Sequence, residues 1–143
     1  MRKIKFRAWD KASEELVEIK TLNFEYQKGA VCAVDYSDIN GDLEDEWKLE
    51  QYTGLKDKNG TEIFEGDIIK IPTHYIIYGT DIDSWEDDYA LVEWSEEYGG
   101  FFIYGETSLW EVLFEGRPKN GFHHEFPEVV GNIHENPELL KEN

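Results

Sequence analysis

One cysteine, one methionine, no apolar run long enough to cross a membrane, and not one lysine or arginine between positions 71 and 116 set the first limits on this 143-residue chain. Cys32 has no second thiol to pair with, so no intrachain disulfide staples the fold. Its place in Val31-Cys32-Ala33-Val34 suits a buried structural thiol rather than a nucleophile. The N-terminus lacks the apolar stretch of a secretion signal, so a soluble cytoplasmic protein is expected.

Signatures of chemistry are missing as well. The glycines form neither a P-loop nor a dinucleotide fingerprint, and no serine sits in a nucleophile elbow. His123 and His124 are adjacent and would point to opposite faces of a strand, and a lone cysteine cannot complete a zinc set. Asp81-Ile82-Asp83-Ser84-Trp85-Glu86-Asp87-Asp88 is rich in oxygens, but Trp85 and Glu86 stand where a calcium loop needs an oxygen ligand and a glycine. No catalytic residue, metal site or cofactor is expected, and an enzyme is not the favoured reading.

Charge is abundant but of one sign. Fourteen basic against 32 acidic residues leave a formal charge of −18, and the distribution is polarised. Positions 1–20 hold six basic residues against four acids, whereas positions 71–116 hold eleven acids. Such a surface repels a phosphate backbone, so direct nucleic-acid binding is not expected. Aromatics at 15% provide ample apolar mass for a folded core.

The stretch Gln51–Ile71 is the most informative. Tyr52 with Leu55, and then Ile63-Phe64, flank Asp57-Lys58-Asn59-Gly60, a tight-turn sequence, which predicts a β-hairpin. Gly66 then bends the chain into Ile68, Ile69 and Ile71, with Pro72 expected to close that strand. Upstream, alternation over residues 3–9 and the apolar Leu16, Val17 and Ile19 predict an opening hairpin. Leu22, Phe24 and Tyr26, a Lys28-Gly29 turn, and residues 30–34 predict two more strands. Residues 35–46 read as a solvated loop turning at Asn40-Gly41, and Trp47 with Leu49 resumes a strand.

Downstream, His74–Tyr78 is β-prone, and Gly79 opens a long exposed loop over 80–88. Tyr89–Trp94 and Phe101–Tyr104 form a second hairpin. Leu109–Phe114 is an apolar element too short to assign, 115–121 is a loop, and Val129–Ile133 a last strand. Asn136-Pro137 predicts an N-cap and a short C-terminal helix. The expected fold is mainly β, with an N-terminal hairpin and meander lobe over 1–50 and a small bent barrel lobe with its helix over 51–143.

Three blocks carry a family resemblance: Ile4-Lys5-Phe6-Arg7-Ala8-Trp9-Asp10 within residues 1–11, residues 51–69, and Val130-Gly131-Asn132-Ile133-His134-Glu135-Asn136-Pro137-Glu138-Leu139-Leu140. Together they resemble the YopX family of phage and prophage proteins, across essentially the whole chain. The resemblance implies a β-rich fold whose C-terminal part is similar to an SH3-like barrel, and a place in a bacterial host's cytoplasm. It implies no activity and brings no catalytic residue.

Candidate partner-binding residues lie where the chain is most acidic and aromatic: Trp85, Tyr89, Trp94, Tyr98, Asp81, Asp83, Asp87 and Asp88. Tryptophan and tyrosine anchor interfaces, and the acids would steer a basic partner. A non-enzymatic module binding a host or phage protein is the leading expectation. A divalent-cation-dependent hydrolase or nuclease using the acids of region 81–97, and an acidic DNA mimic, are the alternatives. The basic N-terminal strand and the acidic 71–116 stretch also raise a homo-oligomer, with Arg2–Arg7 of one subunit facing Asp81–Glu97 of another.

Overall fold

The chain first reverses at Asp10, whose Oδ1 accepts the Ala12 N–H at 2.9 Å and the Ser13 N–H at 3.4 Å. Glu14 takes a left-handed backbone, φ 57°, and the strands so joined are β1 (Phe6–Asp10) and β2 (Glu15–Glu18), with Ala8 opposite Val17. The computed structural model describes residues 2–23, 31–33, 40–42, 46–114 and 122–141. The chain divides into two compact units, Met1–Tyr52 and Thr53–Asn143.

In the first unit, β3 (Thr21–Asn23), β4 (Val31–Ala33) and β5 (Asn40–Asp42) form an antiparallel sheet in sequence order. Asn40-Gly41 is therefore strand rather than turn. Gly41 lies opposite Cys32, and the ladder to β4 overrides the local turn preference. Strand β6 (Trp47–Lys56) pairs with β1 on the side away from β2. Ala8 and Trp47 are buried, with Val17, Ile19, Leu22 and Leu49 packed around them. Ile4, expected to share the face of Phe6 and Ala8, precedes β1 and is exposed. Arg7 lies opposite the fully buried Glu50 and holds its carboxylate at 2.8 Å, so this charge of the basic N-terminal strand is consumed within its own unit. The expectations for Phe24, Tyr26, Lys28-Gly29, residues 34–39 and 43–45, the 115–121 loop and the Cys32 side chain fall outside the described residues.

The second unit opens with the expected hairpin, from the end of β6 into β7 (Glu62–Phe64), with Gly60 at φ 81°. Asp57 organises it. Its Oδ1 accepts the N–H groups of Asn59 at 2.8 Å and Thr61 at 2.9 Å, and its Oδ2 accepts that of Val129 at 2.8 Å. Gly66, at φ 88°, bends the chain into β8 (Asp67–Ile76), and the buried Asp67 secures the bend by accepting the Phe64 N–H at 2.8 Å.

Strand β8 runs straight through Pro72, contrary to the sequence expectation. The Pro72 carbonyl accepts the Glu125 N–H at 2.8 Å, so its nitrogen faces that same side and no bond to β9 (Asp83–Leu91) is lost. Residues 83–88 are likewise strand, not loop. Nine register pairs from Ile68↔Leu91 to Ile76↔Asp83 bind β9 to β8, and the turn is confined to the residues around Gly79. The exposure of 83–87 is as expected, although the secondary structure is not.

A shorter sheet follows, β10 (Glu93–Ser95), β11 (Gly100–Ile103) and β12 (Thr107–Ser108). Leu109–Phe114 is the helix α1, with Leu109, Val112 and Leu113 at helical spacing buried against Ile63, Ile69, Ile71, Ala90, Val92 and Ile103. Six residues cannot hold a helix alone, so this packing supplies its stability. Strand β13 (Glu128–Asn132) closes the other side of β8, and Pro137–Leu140 is a 3-10 turn. Asn136 does not cap that turn. Its Oδ1 instead accepts the Asn132 N–H at 3.2 Å. The fold is mainly β with one short α-helix, and that helix precedes β13.

Candidate functional site

The β8–β9 hairpin carries the chain's acidic segment. Alternation divides its side chains between two faces. Ile69, Ile71 and Ala90 point into the core, and the same face continues outward as Thr73, Tyr75, Glu86 and Asp88. Lys70, Pro72 and His74, with Asp83, Trp85, Asp87 and Tyr89 across from them, form the other face.

On that outer face the Trp85 indole stacks on the His74 imidazole, with centroids 4.9 Å apart and planes at 11°. His74 Nε2 lies 2.6 Å from Asp83 Oδ1. Lys70, the one lysine of this pair of strands, is held by Glu128 at 3.0 Å, which raises the ammonium pKa and lowers that of the carboxyl. Among the described residues Asp81, Glu86 and Asp87 make no ion pair. The outer face is therefore negative, with an aromatic ring at its middle.

The tip of the hairpin is apolar and solvated. Ile77 and Ile82 close the turn through an N–H to carbonyl bond of 3.0 Å, the Thr80 hydroxyl donates to the Ile77 carbonyl at 2.7 Å, and Gly79 takes φ 87°. Tyr78 is 90% exposed, Ile77 43% and Ile82 46%. Three large apolar side chains are thus left in water at one turn.

The inner face holds a different group. Tyr75 donates to Asp88, and its phenol is pushed up to about 12, first by burial and then by that carboxylate. Burial also raises the Tyr104 phenol above its ordinary range, with Asp88 adding to it, and its hydroxyl donates to the Tyr89 carbonyl at 3.4 Å. At the far end of β9, past the hairpin's acidic half, Tyr89, Leu91, Glu93, Tyr104, Gly105 and Leu140 line a groove of about 320 Å³.

The sequence-designated residues thus separate. Asp83, Trp85, Asp87 and Tyr89 share one face of β9, Asp81 sits by the turn, and Asp88 faces inward to Tyr75. Trp94, on β10, meets Phe101 edge to face at 5.2 Å, and Tyr98, in the loop before β11, rests on Phe102 at 5.1 Å. The acids do not converge. On the outer face of β9 Asp83 and Asp87 stand four residues, about 14 Å, apart with Trp85 between them, and on the inner face Glu86 and Asp88 stand about 7 Å apart. Among the described residues no three His, Cys, Asp or Glu are grouped to hold a metal ion. Sequence reading does not single out Ile77, Tyr78 and Ile82, since the first two read only as part of a β-prone run and Ile82 as one residue of an acidic exposed loop. Their signal was the glycine turn between them.

The family described as YopX protein matches residues 5–141. A crystal structure of the protein EF1440 from Enterococcus faecalis is similar over 98% of this chain and 99% of that one, at 28% identity and a TM-score of 0.66. No curated protein matches.

Proposed function

The chain belongs to the YopX family, and we propose that within it this protein acts as a non-enzymatic interaction module that grips a basic partner protein with its β8–β9 hairpin. One observation carries the reading: Ile77, Tyr78 and Ile82 are exposed at the tip of an arm whose outer face holds Asp83, Trp85 and Asp87. Apolar side chains at the tip supply buried area on contact, and the acids steer and orient a cationic surface. The partition of acids between two faces of β9 favours this over nucleic-acid mimicry, which needs a phosphate-like row. The spread of the acids along the strand favours it over cation-dependent hydrolysis. A bacterial cytoplasm in a phage or prophage context is the setting we propose, supported by the family resemblance and the bacterial origin of the similar structure. An SH3-like barrel for residues 53–143 belongs to the same proposal, supported by the mainly β, curled half-barrel character of the sheet.

The test is affinity capture from a bacterial lysate with the wild-type protein and an Ile77→Ser, Tyr78→Ser, Ile82→Ser variant. Wild type is expected to retain basic proteins that the variant does not. Recovery of the same set by both would overturn the reading.

A further inference from the structure

We propose that the open edge of β9 is a docking rail on which an extended, lysine- or arginine-rich segment of the partner adds as a further strand. The inference deepens the interaction reading above and rests on it.

The hydrogen-bond parity of the hairpin carries it. His74 donates its N–H to the His123 carbonyl at 2.8 Å, and Pro72 accepts from Glu125 at 2.8 Å, so both residues turn their backbone groups away from β9. In an antiparallel pair, residues facing such positions turn theirs outward too. Trp85 lies opposite His74 and Asp87 opposite Pro72. The bond between Ile77 and Ile82 has the alternate parity and places Asp83 in the outward set. Tyr89 follows the same rule, its outward carbonyl receiving the Tyr104 hydroxyl. Strand β9 ends the order β13-β8-β9, residues 83–87 are exposed, and no partner occupies the outward groups of Asp83, Trp85 and Asp87 among the described residues. These three residues therefore present a row of donors and acceptors about 14 Å long, room for roughly five residues of added strand.

The side chains choose the occupant. Edges of natural sheets are blunted by charge, commonly lysine. Here the charge is acidic only: Asp83 and Asp87 flank Trp85 on one face, and Glu86 stands on the other. A second copy of this edge would be repelled, whereas a strand with a cation at every second position meets a carboxylate on each side of Trp85. One face of that indole is covered by His74, and Trp85 as a residue is 55% exposed, open to a guanidinium or ammonium. Within β1 the one basic residue, Arg7, is already paired with Glu50, and β2 and β6 occupy both edges of that strand.

The test uses the full chain, isotope-labelled, with a capped nine-residue peptide of alternating lysine and threonine. Controls are an alternating glutamate and threonine peptide and a lysine peptide N-methylated at every internal amide. The lysine peptide is expected to slow hydrogen exchange of the Trp85 and Asp87 amides at least tenfold. The N-methylated peptide, equally charged but without donors, is expected to bind at least tenfold more weakly, and the glutamate peptide not to bind. In an Asp87→Pro variant, which removes an outward N–H together with a carboxylate, protection of Trp85 is expected to vanish, whereas Asp87→Asn, which removes the charge and keeps the N–H, is expected to retain part of it. Equal binding by the methylated peptide, or no protection at Trp85 and Asp87, would overturn the rail while leaving the capture experiment to judge the wider reading. Light scattering without peptide should give 16.8 kDa. A dimer with those amides already protected would assign the edge to self-association and overturn the proposal.

Discussion

The Trp85 ring lies flat on His74, its partner in register on β8, and the same imidazole reaches Asp83 two residues along β9. These three side chains hold one another in place on the outer face, while on the inner face of the same half Tyr75 packs on Phe122 with ring centroids 4.9 Å apart.

Beyond Thr73 the arm is stabilised by its ladder, by this cluster and by Phe122 and His123 beside Tyr75 and His74, none of which involves the tip, so the tip can be changed without cost to the fold. Ile77→Ser or Ile82→Ser should each alter unfolding free energy by no more than about 0.5 kcal/mol, the range of surface substitutions. Ile69→Ala, in the core beneath, should cost about 2–5 kcal/mol. Urea denaturation of the three variants checks the contrast, and a large loss from the tip substitutions would mean that the tip is packed.

Asp57→Ala should destabilise by about 3 kcal/mol, because three backbone N–H groups lose a charged acceptor at a buried position. Asn59 and Thr61 are local, but Val129 is 72 residues away, so the loss should loosen β13 as well as the hairpin. Faster hydrogen exchange at Val129 than in wild type, under conditions where both are folded, is the second expected sign.

Gly131 leaves no room for a methyl group: a Cβ there would stand 2.6 Å from Asn136 Cγ. Gly131→Ala should cost about 1–3 kcal/mol through overpacking. Removing the obstacle should recover part of it, so the Gly131→Ala, Asn136→Ala double variant should lose less than the sum of the singles. Strict additivity in the denaturation midpoints would show that the two residues do not meet.

Tyr75 holds its proton more tightly folded than unfolded, its pKa rising from 10.0 to about 12 through burial and the Asp88 carboxylate. Its contribution to stability is thus whole below pH 10 and declines as pH rises toward 12. Phenolate absorbance of the folded chain should show, among its eight tyrosines, a late-titrating fraction that Tyr75→Phe reduces. Unchanged late absorbance in that variant would contradict the assignment.

Local turn chemistry was legible in the sequence, and long-range pairing was not. Asp57-Lys58-Asn59-Gly60 and the Gly66 bend announced themselves because the residues that make each turn are contiguous. Residues 83–88 did not, since polar side chains on both faces leave no apolar period and the strand exists only through its ladder to β8. Pro72 misled for a related reason: whether a proline ends a strand depends on which side its nitrogen faces, and that is set by residues near 125. At the candidate site, composition pointed to Trp85, Asp83 and Asp87, whereas Ile77 and Tyr78 read only as part of a β-prone run and Ile82 as one residue of an acidic loop, so nothing local marked the three as neighbours at one turn.

That the arm is the contact surface can be read by photo-crosslinking in bacterial cells, with a benzophenone side chain placed at position 78 or, as a control in the other unit, at the exposed Ile4 position. Position 78 is expected to yield discrete adducts with basic proteins, lost when Asp83 and Asp87 are both changed to lysine, while position 4 yields none of them. The same adducts from both positions, or none from position 78, would contradict the account.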